Sequence, residues 1–212
     1  MSRGSTQRIG DLGAPGAVLV IVSGPSGVGK DSVIDALRAE PDVPDYHYVV
    51  TCTTRPRRTY EIEGVHYRFL APEAFAALRE AGELLEANEV HGNWYGTPRD
   101  DVRKALRAGR DVILKIDVQG AAEVKGRVPE ALLIFLVPPS LEDLFQRLRA
   151  RATESADELD IRQRNAALEI ARQDDYDHVV VNETGQIGRT AARIHEIIQA
   201  EKAAHPDRRT RV

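Results

Sequence analysis

The segment Ser23-Gly24-Pro25-Ser26-Gly27-Val28-Gly29-Lys30, placed directly behind the apolar run Ala17–Val22, constrains this chain more than any other feature of its sequence. An apolar run with no polar alternation is the pattern of a strand buried on both faces, as in a parallel sheet. A glycine-rich turn at the carboxyl end of such a strand lies where open α/β sheets offer their ligand crevice. The glycines let successive backbone N–H groups converge on a phosphate. The helix that follows adds its positive end, and Lys30 supplies a point charge for the outer phosphates. Gly24, Pro25, Ser26, Gly27, Val28, Gly29, Lys30, Asp31 and Ser32 therefore read as a nucleoside triphosphate cradle. The motif departs from its usual form at the last letter: the Ser or Thr that serves as a magnesium ligand is replaced by Asp31, with Ser32 one place later. Three roles stay open for Asp31: repelling the triphosphate, holding magnesium directly or through water, or pairing with a cation elsewhere. Asp31 or Ser32 is thus the candidate metal ligand.

The rest of the chain alternates strands with helices. Asp31–Ala39 puts Val33, Ile34 and Leu37 on one helical face before Pro41. DVILKID at 111–117, ALLIFLV at 131–137 and HVVVN at 178–182 repeat the buried-strand pattern. Thr97-Pro98 reads as the cap and first turn of a helix ending near Gly109, and Ser140-x-x-Asp143 as a capping box. This rhythm implies a doubly wound α/β sheet. Two segments break it. Residues 46–97 contain YHYVVTCTT, GVHYRFL and ELLEANEVHGNWYG, short strand-like stretches around a small helix at 72–81, and so predict an inserted β-rich subdomain. Residues 144–173 read as a charged helical hairpin with a polar bend at Thr153–Ala156.

Composition closes several other routes. With 29 Lys plus Arg against 33 Asp plus Glu, the net charge of −4 is a poor basis for coating nucleic acid. The single cysteine, Cys52, excludes a disulfide framework or a thiolate zinc cluster and agrees with a reducing compartment. Its alternation with Thr51 and Thr53 predicts a small core residue. No apolar stretch approaches the roughly 20 residues of a membrane-spanning helix, and MSRGSTQRIGDLGAPG has no secretory h-region, so a cytoplasmic protein is expected. Residues 1–15 read as a disordered tail, and HPDRRTRV at the other end as a basic, solvated one, with 206–212 beyond the folded chain.

GPSGVGK, followed by TCTTRPRR at 51–58, GVHYRF at 64–69, LLE at 84–86, NWYGTP at 93–98, KIDVQG at 115–120 and RLRARATE at 147–154, resembles the guanylate kinases over about residues 16–200. The resemblance implies a P-loop kinase fold over 16–205, with a core at 16–50, 98–143 and 170–205, a GMP-binding insertion at 51–97 and a helical lid at 144–169. It implies transfer of the γ-phosphoryl group of ATP to GMP in purine metabolism, with magnesium, and with dGMP as a second candidate acceptor. The phosphate loop becomes the ATP site, and no nucleic acid or membrane partner is expected. Family arginines matching Arg55 and Arg58 bind the GMP phosphate, helped by the tyrosine matching Tyr67. Physically, two guanidinium forks either side of Pro56 suit one dianion, with hydroxyls from Tyr67 and Tyr95 beside them. Arg57 competes with Arg58 for the second fork, and the family spacing favours Arg58.

Guanine presents N1–H and N2–H donors and the O6 acceptor, so a carboxylate with a nearby hydroxyl tells it from adenine. The resemblance assigns Glu86, Thr51 and Thr97 to the base and Asp117 close by. A carboxylate that meets adenine's unprotonated N1 leaves a buried group unpaired, at a cost of about 1–3 kcal/mol. Arg147, Arg151 and Arg162 match lid arginines that close over the phosphates, and with Lys30 they form the expected catalytic set. Arg149 and Arg164 are expected to face water. Trp94 either packs near the base or is a structural aromatic. Phosphoryl transfer needs alignment and charge neutralisation rather than a covalent nucleophile, which agrees with the lack of any Ser/His/Asp pattern. Lys115 is a second departure, since the family commonly has an acidic residue there. Asp31 and Lys115 are expected to pair and so exchange the usual polarity around the metal position. Two other readings compete: a catalytically weak binding module of the same fold, and a related kinase for another small phosphate acceptor.

Overall fold

The computed structural model describes residues 12–90, 92–150 and 156–212. The first strand, β1 (Leu19–Ser23), runs through the phosphate loop into α1 (Lys30–Ala39). A short β2 (His47–Tyr48) follows, then β3 (Cys52–Thr53), β4 (Arg68–Phe69), α2 (Pro72–Glu80), β5 (Leu84–Val90) and β6 (Asn93–Pro98). The chain continues through α3 (Arg99–Arg107), β7 (Val112–Lys115), α4 (Val118–Arg127), β8 (Leu132–Val137), α5 (Leu141–Ala150), α6 (Ala156–Ile170), β9 (His178–Val181) and α7 (Ile187–Ala204).

The main sheet has the order β2-β7-β1-β8-β9, with every described pair parallel. β1 lies between β7 and β8, so the chain leaves it towards both sides and a crevice opens at its carboxyl end. The apolar run is buried on both faces, as its lack of alternation requires. Val18, Val20 and Val22 pack with α1 and α7 on one side, while Ala17, Leu19 and Ile21 pack with α3 and α4 on the other. Gly24 then turns away from the sheet at φ 146°, where a side chain would collide with the Leu136 carbonyl.

Most expected elements lie within two residues of their sequence bounds. The expected strand 46–54 is divided instead. Its first part, β2, joins the main sheet because Tyr46 is buried and its hydroxyl meets His195 Nδ1 at 2.8 Å on α7. β3 belongs to a second sheet of order β4-β3-β6-β5, in which β3 pairs parallel with β4 and antiparallel with β6. That sheet has its own small core of Cys52, Phe75 and Leu84. Trp94 packs beside it, its ring 5.9 Å from Phe75 and under the Arg79 guanidinium, so the structural reading of this tryptophan is the one observed.

Thr97 does not cap α3. It lies within β6, its hydroxyl is used by Glu86, and α3 starts after Pro98 with no side-chain cap. The box at Ser140 does form, with Asp143 N donating to Ser140 Oγ at 3.1 Å. The bend at 153–155 lies outside the described residues. At the termini, residues 12–15 and 206–212 are tied together, with Pro206, Asp207, Arg209 and Arg211 still exposed. Leu12 bridges Arg211, Gly13 N donates to Thr210 O at 2.8 Å, and buried Thr210 donates to Ala17 O at 3.2 Å. Arg208 pairs with Glu201, and Arg103 Nε donates to Val212 O at 3.1 Å. Polar composition misled there because these charges and backbone groups find partners on α3 and α7.

Candidate active site

The main sheet, the smaller sheet and α6 enclose a cavity of about 210 Å³ at the carboxyl end of β1. The phosphate loop forms one wall. Lys30 Nζ folds back on the loop and donates to Gly24 O at 2.5 Å and Pro25 O at 3.1 Å. Burial pushes the pKa of this ammonium down, against the opposing pull of Glu169, Asp31 and Asp117. Such a cation gains most when an anion arrives. From α6, Arg162 donates to Ser26 Oγ at 3.1 Å, and Glu169 Oε2 accepts from Ser26 N at 3.0 Å. The Glu169 carboxylate thus takes a loop N–H of the kind that would serve a phosphate oxygen. Sequence reasoning did not single it out, although Arg162 and Glu169 are seven residues apart and so share one helical face.

The opposite wall comes from the smaller sheet and its loops. Arg55 and Arg58 both line the cavity, and Arg57 does not. A buried carboxylate absent from the expected set, Glu61, organises them: it accepts from Arg55 at 2.7 Å and from the Arg58 backbone N–H at 2.8 Å. Burial alone would raise the pKa of Glu61, but Arg55 and the Arg58 N–H outweigh it and hold the carboxyl below its ordinary value. The Tyr67 ring lies 5.6 Å from the Arg55 guanidinium and edge-on to Tyr95. Two guanidiniums and two phenols therefore converge on one side of the cavity.

Deeper in the cavity, Glu86 is 1% exposed. Thr97 Oγ1 donates to its Oε1 at 2.7 Å and Asn88 Nδ2 to its Oε2 at 3.0 Å. Asn88 in turn donates to Glu123 at 3.0 Å. Asn88 was missed, yet it stands two residues from Glu86 on the same face of β5, as a strand's period requires. Burial pushes the Glu86 pKa up to about 7, partly offset by the Thr97 and Asn88 hydrogen bonds. Gly120 lies so close that a Cβ would come within 3.1 Å of Glu86 Oε2. Thr51 lines the same cavity, whereas Thr97 is buried behind Glu86. Asp117 lines it too while capping α4, accepting from Gln119 N and Gly120 N.

Not every expected residue meets here. Arg147 lies on the far side of the loop, donating to Val28 O and Asn182 O at 3.1 Å and to Thr184 Oγ1 at 2.7 Å. It lines an adjoining cleft with Gly27, Gly29 and Ser32. Its long side chain finds three acceptors there, a stronger hold than open solvent would offer. Arg151 lies outside the described residues. Arg149 and Arg164 are exposed.

The donor set does not fit a magnesium ion held by this chain's side chains at the expected place. Asp31 is bonded to the Lys115 ammonium, and Ser32 opens on the Arg147 cleft. A divalent cation at Asp31 would sit against a fixed positive charge. Among the described residues, no group of three His, Cys, Asp or Glu side chains has metal-holding geometry.

Fold and cavity together define a phosphate-loop α/β protein in which the loop and Lys30 face an arginine pair and a buried carboxylate. The guanylate kinase family model matches residues 17–201. A guanylate kinase from Chelativorans sp. is 41% identical over 192 residues, covering 90% of this chain and 86% of that one. One from Symbiobacterium thermophilum is 44% identical over 189 residues, covering 89% and 88%. The solved guanylate kinase structure from Anaplasma phagocytophilum superposes with a TM-score of 0.71 at 33% identity, covering 90% of this chain and 88% of that chain. The chain belongs to the guanylate kinase family.

Proposed function

We propose that this protein transfers the γ-phosphoryl group of ATP to GMP, giving ADP and GDP, as a step of purine nucleotide metabolism. The observation that carries the reading is a single cavity holding the Lys30 loop, the Arg55–Arg58 pair and the Glu86–Thr97 pair. In this reading an acceptor nucleotide in that cavity sets its base at Glu86 and its phosphate at the arginines, facing Lys30.

In this reading the phosphate loop and Lys30 take the ATP phosphates, and Arg162 closes over them from α6. Arg55 and Arg58, braced by Glu61, clamp the GMP phosphate with Tyr67 and Tyr95. Ionised Glu86 accepts the guanine N1–H and N2–H bonds, and Thr51 lies on the same wall. A GMP phosphate oxygen then attacks the γ-phosphorus as the bond to the β,γ-bridging oxygen breaks, and that electron pair leaves on ADP. The attacking oxygen is already ionised, so no general base is required. Arg147, on its adjoining cleft, serves the donor side of the loop. Magnesium would supply charge neutralisation to the ATP phosphates, and the side chains at Asp31 and Ser32 do not fit a site for it.

A coupled ADP-release assay with ATP and magnesium, comparing GMP, dGMP, AMP, CMP and UMP, tests this directly. Turnover confined to the guanine nucleotides and lost in Lys30→Ala is expected. Equal turnover with AMP would overturn the guanine reading.

A further inference from the structure

Lys115 is a half-buried cation that the reading above leaves without a task. It ends β7, and its register partner on β1 is Val22, so it stands beside the strand that feeds the phosphate loop. Its ammonium reaches across to Asp31 in the first turn of α1, on the donor side. On the acceptor side it lies 5.1 Å from the centre of the Tyr67 ring, the same ring that the Arg55 guanidinium approaches. Lys30 and Arg162 bond the loop wall, and Arg55 and Arg58 bond groups of the other wall. Lys115 touches both.

Burial works against a charge at this position, but Tyr67 and Asp31 outweigh it and keep the pKa of the ammonium above its ordinary value. The group is therefore a permanent cation, fixed at the junction of two phosphate sites and lining their common cavity. Transfer between two phosphates concentrates negative charge at that junction. A preorganised cation there stabilises the transition state more than it stabilises either bound nucleotide, because only in transfer do both anions and the moving phosphoryl group meet it.

We propose that the Lys115 ammonium spans the donor and acceptor phosphates during transfer, with Asp31 as the arm that holds it there. The ammonium thereby offers a side-chain cation at the position where a carboxylate-held metal does not fit. Lys115 is then a catalytic residue in contact with the phosphoryl oxygens, and Asp31 a positioning residue acting through it. This rests on the phosphotransfer reading of the same cavity.

The test uses Lys115→Met, Asp31→Ser and the double variant Asp31→Ser/Lys115→Met. Three quantities are measured: turnover, thermal midpoint, and affinity in EDTA for ATP, for GMP and for an analogue joining adenosine to guanosine through five phosphates. Lys115→Met should lower kcat by roughly 100-fold, the scale seen when one preorganised donor to transition-state charge is removed. It should weaken the joined analogue by roughly 30-fold while changing GMP affinity by less than about threefold, since only the analogue carries charge across the junction. Lys115→Met strands a carboxylate and is expected to lose stability. The double variant removes both charges and should regain the midpoint while staying as slow as Lys115→Met. A double variant that regains kcat along with its midpoint would reduce the pair to a structural ion bridge and overturn the proposal. So would a Lys115→Met protein that binds the analogue as the wild type does. A wild-type protein that does not turn over GMP, yet loses analogue affinity on Lys115→Met, would sink the phosphotransfer reading and leave the Lys115 contact standing.

Discussion

The phosphate-loop wall and the acceptor wall of the cavity are built by opposite means. The loop wall is continuous in sequence: Gly24 to Lys30 leave a strand buried on both faces and enter a helix, so local geometry alone aims its N–H groups. The acceptor wall is assembled from separate segments. Arg55 is braced by Glu61, while Glu86 on β5 is held by Thr97 on β6 and faces Gly120 on α4. In the proposed reading, function in the first region depends on backbone conformation. In the second it depends on buried carboxylates whose partners arrive from several elements. The first should therefore lose activity when its charge is removed, and the second should lose affinity and selectivity when its braces are removed.

The largest expected effect is on the loop side. Lys30→Ala should reduce kcat by roughly 1000-fold, because it deletes a preorganised charge on the transferring group, while GMP affinity measured calorimetrically stays near wild type. Loss of GMP affinity in this variant would show that the two walls are not separable.

Next is Glu86→Gln, which should cut the preference for GMP over AMP by roughly 100-fold in kcat/KM, since a site that accepts from N1–H no longer rejects a base lacking that proton. The same variant carries a pH signature. Glu86 is raised from 4.5 to about 7 in the folded chain, so between those values the native protein holds a proton that the unfolded chain has released. Stability therefore falls as pH rises through that window, and the full penalty, on the order of 3 kcal/mol, is present above pH 7. Glu86→Gln should raise the thermal midpoint at pH 8 and not at pH 4.5. If guanine binds the ionised carboxylate as proposed, wild-type GMP affinity should tighten from pH 6 to 8 more steeply than that of Glu86→Gln, which shares the titration of the nucleotide phosphate.

Glu61→Gln should raise the KM for GMP by roughly tenfold with kcat at saturation little changed, because Arg55 and the Arg58 backbone lose a charged partner rather than the GMP contacts themselves. An equal fall in kcat would mean that the clamp is also felt at the transferring phosphoryl group. The smallest effect expected is a gain. Glu169→Ala frees Ser26 N of its carboxylate and should tighten ATP by about threefold, the scale of one exchanged hydrogen bond in a solvated cleft. Weaker ATP binding would show that Glu169 instead aims Arg162.

The fold was legible in the sequence wherever the signal was local. The parallel strands, the phosphate loop, α1, α2 and the box at Ser140 all follow from burial pattern and capping chemistry. The site was legible in part. Arg55, Arg58, Tyr67, Tyr95, Glu86 and Asp117 do line one cavity with Lys30, but their braces Glu61 and Asn88 and the carboxylate of Glu169 were not marked. An acidic residue in a turn or on a charged helix looks the same in sequence whether it faces water or an arginine. The pairing of Asp31 with Lys115 was readable because two departures of opposite sign fall beside the same crevice, one opening α1 behind the phosphate loop and one ending β7.

Hydrophobic periodicity and the glycine-rich turn by themselves determined the class of sheet, the place of its crevice and the kind of ligand that crevice suits, since each follows from backbone sterics within a few residues. Only tertiary structure decided that Thr97 leaves the helix it seemed to cap and bonds Glu86, that Arg147 turns away behind the loop, and that the basic C-terminus is anchored beside Leu12. In each case a polar side chain or backbone group had several possible partners. The choice among them depends on which elements, distant in sequence, are packed close enough to displace water.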